Sequence, residues 1–152
     1  GRVQLIRHLT PELVWQDRWM DHANKVVALE AAILSSDTPV ETAERLSRLT
    51  GLPLEVDPAG GFLMRFPGAD GVAGPRSTKM ETRVRILTPD GLGRVLPGVA
   101  QKASPFMAGM VLRTEDGGAA ARQLLAGIAT RDAPDGLMVP PEAACGAALV
   151  FA

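Results

Sequence analysis

The sequence is short of the residues on which several protein classes depend. Cys145 is the single cysteine among 152 residues, so the chain forms no internal disulfide and has no cysteine pair for a zinc ribbon. This cysteine usage favours a reducing, cytoplasmic compartment. The 16 basic and 17 acidic side chains lack the basic excess of nucleic-acid-binding proteins, and no apolar run approaches the roughly 20 residues that span a bilayer. We expect no nucleic-acid and no membrane partner.

Aromatic residues are also scarce, whereas turn residues are abundant. Aromatic side chains make up 4% of the chain and tyrosine is absent, but there are 16 glycines and 12 prolines. The hydrophobic fraction of 46% and the charged fraction of 22% are typical of a globular protein with one core of ordinary size. The chain is therefore expected to consist of many short helices and strands.

Three Thr-Pro segments predict the starts of helices. They begin at Thr10, Thr38 and Thr88, and each carries an acidic residue in the first turn. Threonine accepts hydrogen bonds from first-turn amides, and proline suits the first helical position. The second segment predicts a helix from Pro39 to about Thr50, where Gly51 is a suitable terminator. A fourth helix is expected after Asp116.

Short apolar or alternating segments between these helices predict strands. Their predicted ranges are residues 3–9, 28–35, 61–66, 82–87, 108–113, 136–139 and 146–151. Residues 67–79 contain three glycines and two prolines without periodicity, and this composition predicts a mobile loop.

The sequence repeats itself at an offset of 79 residues. Residues 29–37 match residues 108–116, and each segment predicts a strand that leads through an aspartate into a helix. A second match, between residues 7–12 and 85–90, implies that strand 3–9 closes an earlier unit. We therefore expect a remnant over 1–25, a first module over 26–104 and a second over 105–152, forming the C-terminal part of a longer protein.

Four short segments, in order along the chain, resemble sequence motifs of the glyoxalase-like domain proteins in the vicinal oxygen chelate superfamily. They are residues 8–15 (HLTPELVW), 22–24 (HAN), the turn at Asp37, and 138–146 (MVPPEAACG) before the last strand. The resemblance implies an α+β fold: two βαβββ modules forming a curved mixed sheet with helices on the convex face, preceded by an orphan strand and helix. Isomerases, lyases, dioxygenases and metal-free binding proteins share this scaffold, so the resemblance predicts fold more strongly than activity.

The resemblance also identifies positions at which related enzymes bind a metal. Glu30 lies where they place a ligand on the first strand, but the corresponding positions hold Gly109, Arg85 or Ile86, and Val150, which supply no metal-binding side chain. We therefore predict no cofactor and no metal site in this chain, and an ion pair between Glu30 and Arg83 or Arg85. A divalent metal would require ligands from the missing N-terminal region.

Strand alternation predicts which other side chains face a cavity. Counting back from Asp37 places Glu30, Ala32 and Leu34 on the concave face and Ala31, Ile33 and Ser35 on the helix-packed face. Met64 and His8 are further candidates for lining the cavity, with core filling and packing beneath Trp15 as the respective alternatives. We expect Cys145 to be a small buried hydrophobe.

These observations lead to three hypotheses. The first is a module that binds a small apolar or carboxylated metabolite, with Arg83 or Arg85 as the anion contact. The second is a metal-dependent isomerase, lyase or dioxygenase with ligands from the missing region. The third is a structural or dimerising half of a larger protein, with a homodimer as the expected assembly.

Overall fold

Two strand–helix–three-strand modules follow one another in the computed structural model, which describes residues 9–14, 16–19, 21–68 and 80–152. A short helix α1 and a 3₁₀ turn precede them. The elements are α1 Pro11–Val14, the turn Asp17–Trp19, β1 Val26–Ser35, α2 Pro39–Thr50, β2 Glu55–Val56, β3 Gly61–Phe66, β4 Thr82–Leu87, α3 Pro89–Val95, β5 Phe106–Thr114, α4 Ala119–Leu124, β6 Arg131–Ala133, β7 Gly136–Val139 and β8 Ala148–Phe151.

The strands form one eight-stranded mixed sheet in the order β2-β3-β4-β1-β5-β8-β7-β6. Within each module the first strand pairs in parallel with the last, as β1 with β4 and β5 with β8. The modules join through antiparallel pairing of β1 with β5, in which Ala31 faces Val111 and Ala32 faces Met110. By the 79-residue offset, Ala31 corresponds to Met110 and Ala32 to Val111, so each pair corresponds to the other. A local twofold axis therefore passes between the two pairs. The predicted α+β class with two βαβββ modules is confirmed.

The helix starts agree with the predicted segments, and the two threonines before the second and third helices differ in their capping. Thr88 accepts a hydrogen bond from the Gly91 amide at 3.0 Å, whereas the Thr38 side chain makes no capping bond. The Ser36 hydroxyl instead accepts from the Thr38 amide. The longest helix, Pro39–Thr50, has 12 residues, and no helix in the described ranges is long and apolar enough to cross a membrane.

Apolar cores lie on both faces of the sheet. On one face α2 packs through Ala43 against Met64 and Ile86, and α4 packs through Ala121 against strands of the second module. On the other face α3 and the segment after it cover the middle of the sheet. This second cluster is Ala31, Ile33, Leu87, Leu92, Val95, Leu96, Val99, Ala108, Val111, Met138, Ala148 and Val150.

The prediction of the faces of β1 is wrong in part. Ala31 and Ile33 do share a face, but α3 covers it, and Ala32 and Leu34 share the α2 face because they pair with Val84 and Ile86. A register shift between Leu29 and Ala31 separates Glu30 from Ala32 and Leu34. An extra residue in one strand re-aims a side chain, and simple alternation does not anticipate it.

Two further expectations concern the ends of the chain and its loops. Strand 3–9 and loop 67–79 fall largely outside the described residues, which include only Leu9 of the former and residues 67 and 68 of the latter. Cys145 is exposed, so the prediction of a buried cysteine is wrong. Its positive φ of 56° belongs to the tight turn before β8, where the backbone turns away from the core.

Each module begins its third strand with a glycine that no other residue can replace without strain. A Cβ atom on Gly61 would lie 2.2 Å from the carbonyl oxygen of Ile86, and one on Gly136 would lie 2.2 Å from that of Phe151. The φ angles are +117° and +138°, which L-residues rarely adopt. The hairpin therefore approaches the closing strand in the same way in both modules.

We predict that Gly61→Ala lowers the free energy of unfolding by about 2–4 kcal/mol, because it adds both a steric clash and backbone strain. The matched control is Gly93→Ala within α3, where an added Cβ meets no atom within 4 Å. Alanine is the better helix former, so the control should be neutral or stabilising by up to about 1 kcal/mol. Urea denaturation followed by circular dichroism measures both, and equal midpoints for Gly61→Ala and the unmodified chain would contradict the prediction.

Candidate functional site

A charged cleft of about 410 Å³ opens on the α3 face, at the end of the sheet away from α3. Its lining residues come from both modules and are Arg65, Met80, Glu81, Arg83 and Arg113. Arg65 on β3 and Arg83 on β4 are direct cross-strand partners. Arg113 on β5 pairs with Ala28 of β1, on the other side of the central strand. Three guanidinium groups from three strands therefore converge on one cleft.

Glu30 links two of these arginines. One of its carboxylate oxygens accepts from Arg83, and the other accepts from Nε of Arg113 at 3.0 Å. Its side chain is 17% exposed, compared with 35% for Arg83 and 47% for Arg113. The predicted ion pair between Glu30 and Arg83 is confirmed. The contact with Arg113 was not predicted, and it ties the first module to the second.

Two further glutamates neutralise Arg65. Both Glu55 oxygens lie 3.0 Å from Nε of Arg65, and Glu81 accepts from its Nη1 at 2.6 Å. The hydrogen bonds and charges of Glu55 and Glu81 raise the pKa of Arg65 above its ordinary value. A row of charged side chains therefore crosses β2, β3, β4, β1 and β5. In this order its members are Glu55, Arg65, Arg83, Glu30 and Arg113. The row alternates except where Arg65 and Arg83 lie side by side.

Arg85 lies on the same face but forms a separate, buried pair. Its Nε and Nη2 donate to the two oxygens of Asp57 at 2.7 and 2.8 Å, and Asp57 also accepts from the Ala59 amide at 2.8 Å. Burial alone raises the pKa of Asp57, but the hydrogen bonds from Arg85 and Ala59 and the arginine charges outweigh it, so the pKa lies below its usual value. The hydrogen bond to Asp57 is also the main reason that the pKa of Arg85 is raised.

The other predicted site residues are not brought to the cleft. Met64 is 1% exposed and packs with Ala43 and Ile86 on the opposite face of the sheet. His8 lies outside the described residues. The structure therefore brings together Glu30 and Arg83, and places Arg85 in a neighbouring pair. The ligand-binding roles of all five residues stay predictions.

The donor groups in the described residues do not fit a metal of the kind that the fold family uses. Both oxygens of Glu30 accept from arginines, whose charges repel a divalent cation. Gly109, Ile86 and Val150 offer no donor side chain. Within the described part of the chain, no group of three or more His, Cys, Asp or Glu side chains is arranged to hold a metal ion.

Sequence reasoning missed most residues of this region, among them Asp57, Arg65, Glu81 and Arg113. Asp57 belongs to an Asp-Pro-Ala-Gly segment, which is a turn signal, but nothing local indicates that it buries its carboxylate against an arginine. Arg65, Glu81 and Arg113 are ordinary surface residues in sequence. Only strand order and register bring them together, and the irregular step beside Glu30 was needed to place Arg113 next to it.

Comparison with known proteins shows the fold. No family model matches the sequence, and no curated protein sequence matches it significantly. The chain is similar to the crystal structure of methylmalonyl-CoA epimerase from Mycobacterium tuberculosis, with 16% identity and a TM-score of 0.53 over 90% of this chain and 93% of that one. A second methylmalonyl-CoA epimerase structure gives 14% identity and a TM-score of 0.50 over 83% and 94%. The chain therefore shares the fold of these two structures, and this agrees with the glyoxalase-like fold that the sequence predicts.

We predict that Asp57→Asn lowers the free energy of unfolding by about 3 kcal/mol at pH 7, because it leaves the half-buried Arg85 with only the more distant and more exposed Asp135, whose carboxylate lies 3.7 Å from its Nη1. The pKa of Asp57 is lower in the folded than in the unfolded chain, where it is about 3.9. The stabilisation from the pair is therefore complete above about pH 4 and is lost as the pH falls through the folded pKa. The difference between the two proteins should shrink in that acidic range.

Urea titrations between pH 7 and pH 2.5 measure this difference. Asp132→Asn is the matched control, since Asp132 is 85% exposed and pairs with the exposed Arg122. Its effect should stay within about 0.5 kcal/mol at every pH. A constant gap between Asp57→Asn and the unmodified chain over the whole pH range would contradict the assignment.

Proposed function

We propose that the chain is a binding module that takes a small carboxylated metabolite in the cleft lined by Arg65, Arg83 and Arg113. The observation that carries the proposal is the convergence of these three side chains on one cleft of about 410 Å³. The planar guanidinium group matches a carboxylate with two parallel hydrogen bonds, which lysine does not offer. Arg83, one of the two arginines predicted as an anion contact, is among the three.

Differences in exposure indicate which arginines are open to a ligand. Arg85 is 15% exposed and uses two nitrogens on Asp57, so it stabilises the sheet in this proposal. Arg83 and Arg113 share Glu30 beneath them, but 35% and 47% of their side chains face solvent. A ligand carboxylate would bind to these solvent-facing parts while Glu30 holds the two side chains in position. The anion contact in this proposal is therefore Arg83 with Arg113.

A metal-dependent isomerase is the second candidate. This candidate is favoured by the fold that the chain shares with methylmalonyl-CoA epimerase structures. In that case the metal ligands would come from outside the described residues, because Glu30 is held by two arginines. The third candidate, a structural or dimerising half, requires no ligand. We also propose a cytoplasmic location, where the exposed thiol of Cys145 stays reduced.

We predict that the protein binds butyrate and not the matched neutral compound butyramide. Butyrate should shift the backbone amide signals of Met80, Arg83 and Arg113 in two-dimensional NMR spectra recorded at constant ionic strength. Arg113→Gln should weaken butyrate binding about tenfold, the effect of losing a charge-assisted hydrogen bond. Arg45→Gln on α2 is the control, since Arg45 is exposed and pairs with Glu41 away from the cleft. Equal shifts with both compounds, or none, would reject the binding function.

We predict that the purified chain contains no stoichiometric zinc, iron, nickel or manganese. The arginines on both sides of Glu30 repel a cation and occupy its oxygens. Elemental analysis of the unmodified chain and of Glu30→Gln tests this directly. A stoichiometric metal that is present in the unmodified chain and lost in Glu30→Gln would reject the binding-module hypothesis and support the metal-dependent enzyme.

A further inference from the structure

The Arg65–Arg83 pair is electrostatically unusual. The two residues are directly opposite on neighbouring antiparallel strands, so their side chains project from the same face. Like charges in this position destabilise a sheet unless an anion lies between them. Both side chains line the cleft. The pair therefore provides a position for an anion on the side of the cleft formed by the first module.

Glu81 partly fills this position. It lies immediately before β4, also lines the cleft, and accepts from Nη1 of Arg65 at 2.6 Å. Glu55 binds Arg65 from the other side, through Nε. The Glu81 pair is solvent-accessible, with 44% of the Arg65 side chain and 42% of the Glu81 side chain exposed. Exposed pairs of this kind contribute little free energy, so an external carboxylate competes with Glu81 at small cost.

We propose that Glu81 is a specificity-determining residue that occupies the carboxylate position between Arg65 and Arg83 and disfavours ligands with a second carboxylate. The proposal rests on the proposed binding function and deepens it. A monocarboxylate bound to Arg83 and Arg113 leaves Glu81 on Arg65, at the edge of the same cleft. A second ligand carboxylate meets this charge, whereas an apolar tail meets Met80, which is uncharged, unlike the other described residues of the lining. The ligand class is a monocarboxylate with a short apolar part.

The test compares butyrate with succinate, which has the same number of carbon atoms and a second carboxylate. Dissociation constants are measured by NMR titration at constant ionic strength for the unmodified chain and for Glu81→Gln. Both ligands should bind more tightly to Glu81→Gln, because a negative charge at the edge of the cleft is gone and the position on Arg65 is open. Succinate should gain more, so that the ratio of its dissociation constant to that of butyrate falls about threefold to tenfold.

Glu44→Gln is the matched control, because Glu44 forms an exposed pair with Arg48 on α2, away from the cleft. It should leave both constants unchanged. If butyrate binds the unmodified chain but the ratio is the same in Glu81→Gln, the role of Glu81 is wrong and the binding function stands. If neither ligand binds the unmodified chain or Glu81→Gln, the binding function itself fails. A loss of butyrate affinity in Glu81→Gln, with an unchanged folded spectrum, would show that Glu81 supports the ligand and would overturn the proposal.

Discussion

The antiparallel pairing of β1 with β5 is the constraint on which the rest of the structure depends. It is the single junction through which the sheets of the two modules become continuous in the described part of the chain. The local twofold axis passes through this junction, so any irregularity in it affects both modules. The step between Leu29 and Ala31 is such an irregularity, and it turns Glu30 toward the arginines. One extra residue in one strand thus determines where the carboxylate of the candidate site lies.

Charge neutralisation on the α3 face follows the depth of burial. Near α3, where the core covers the sheet, Arg85 and the 1%-exposed Asp57 form a bidentate pair. Farther along the sheet Glu30 shares two arginines, and at the open end Arg65 is neutralised by two exposed glutamates. An unpaired charge costs most where water is excluded. The same face therefore buries the carboxylate partner of its innermost arginine and leaves its outer arginines open to solvent.

The sequence predicted the elements better than the site because the two depend on different kinds of information. Segments of period two and the Thr-Pro segments are local signals, so helix Pro39–Thr50 and strands Gly61–Phe66 and Thr82–Leu87 match their predicted ranges. The 79-residue offset also carried the architecture, since it is the offset that the β1–β5 register obeys. Arg113 and Asp57, by contrast, join the site through pairing between distant segments. The grouping of Glu30 with Ala32 and Leu34 failed because period-two counting assumes an unbroken strand, whereas the register shifts between Leu29 and Ala31.

The fold by itself does not specify one activity, whereas the charged side chains on the sheet differ from protein to protein. Two methylmalonyl-CoA epimerase structures share the fold of this chain at 14–16% identity, and a likeness at that level of identity shows the fold alone. At the position of the first-strand ligand, this chain has a carboxylate flanked by guanidinium groups, and an environment of that kind attracts anions more strongly than cations. The two guanidinium groups around the single Glu30 carboxylate decide the sign of the field at that point, whereas the backbone does not. Function on this scaffold is therefore best argued from the charges in the cleft.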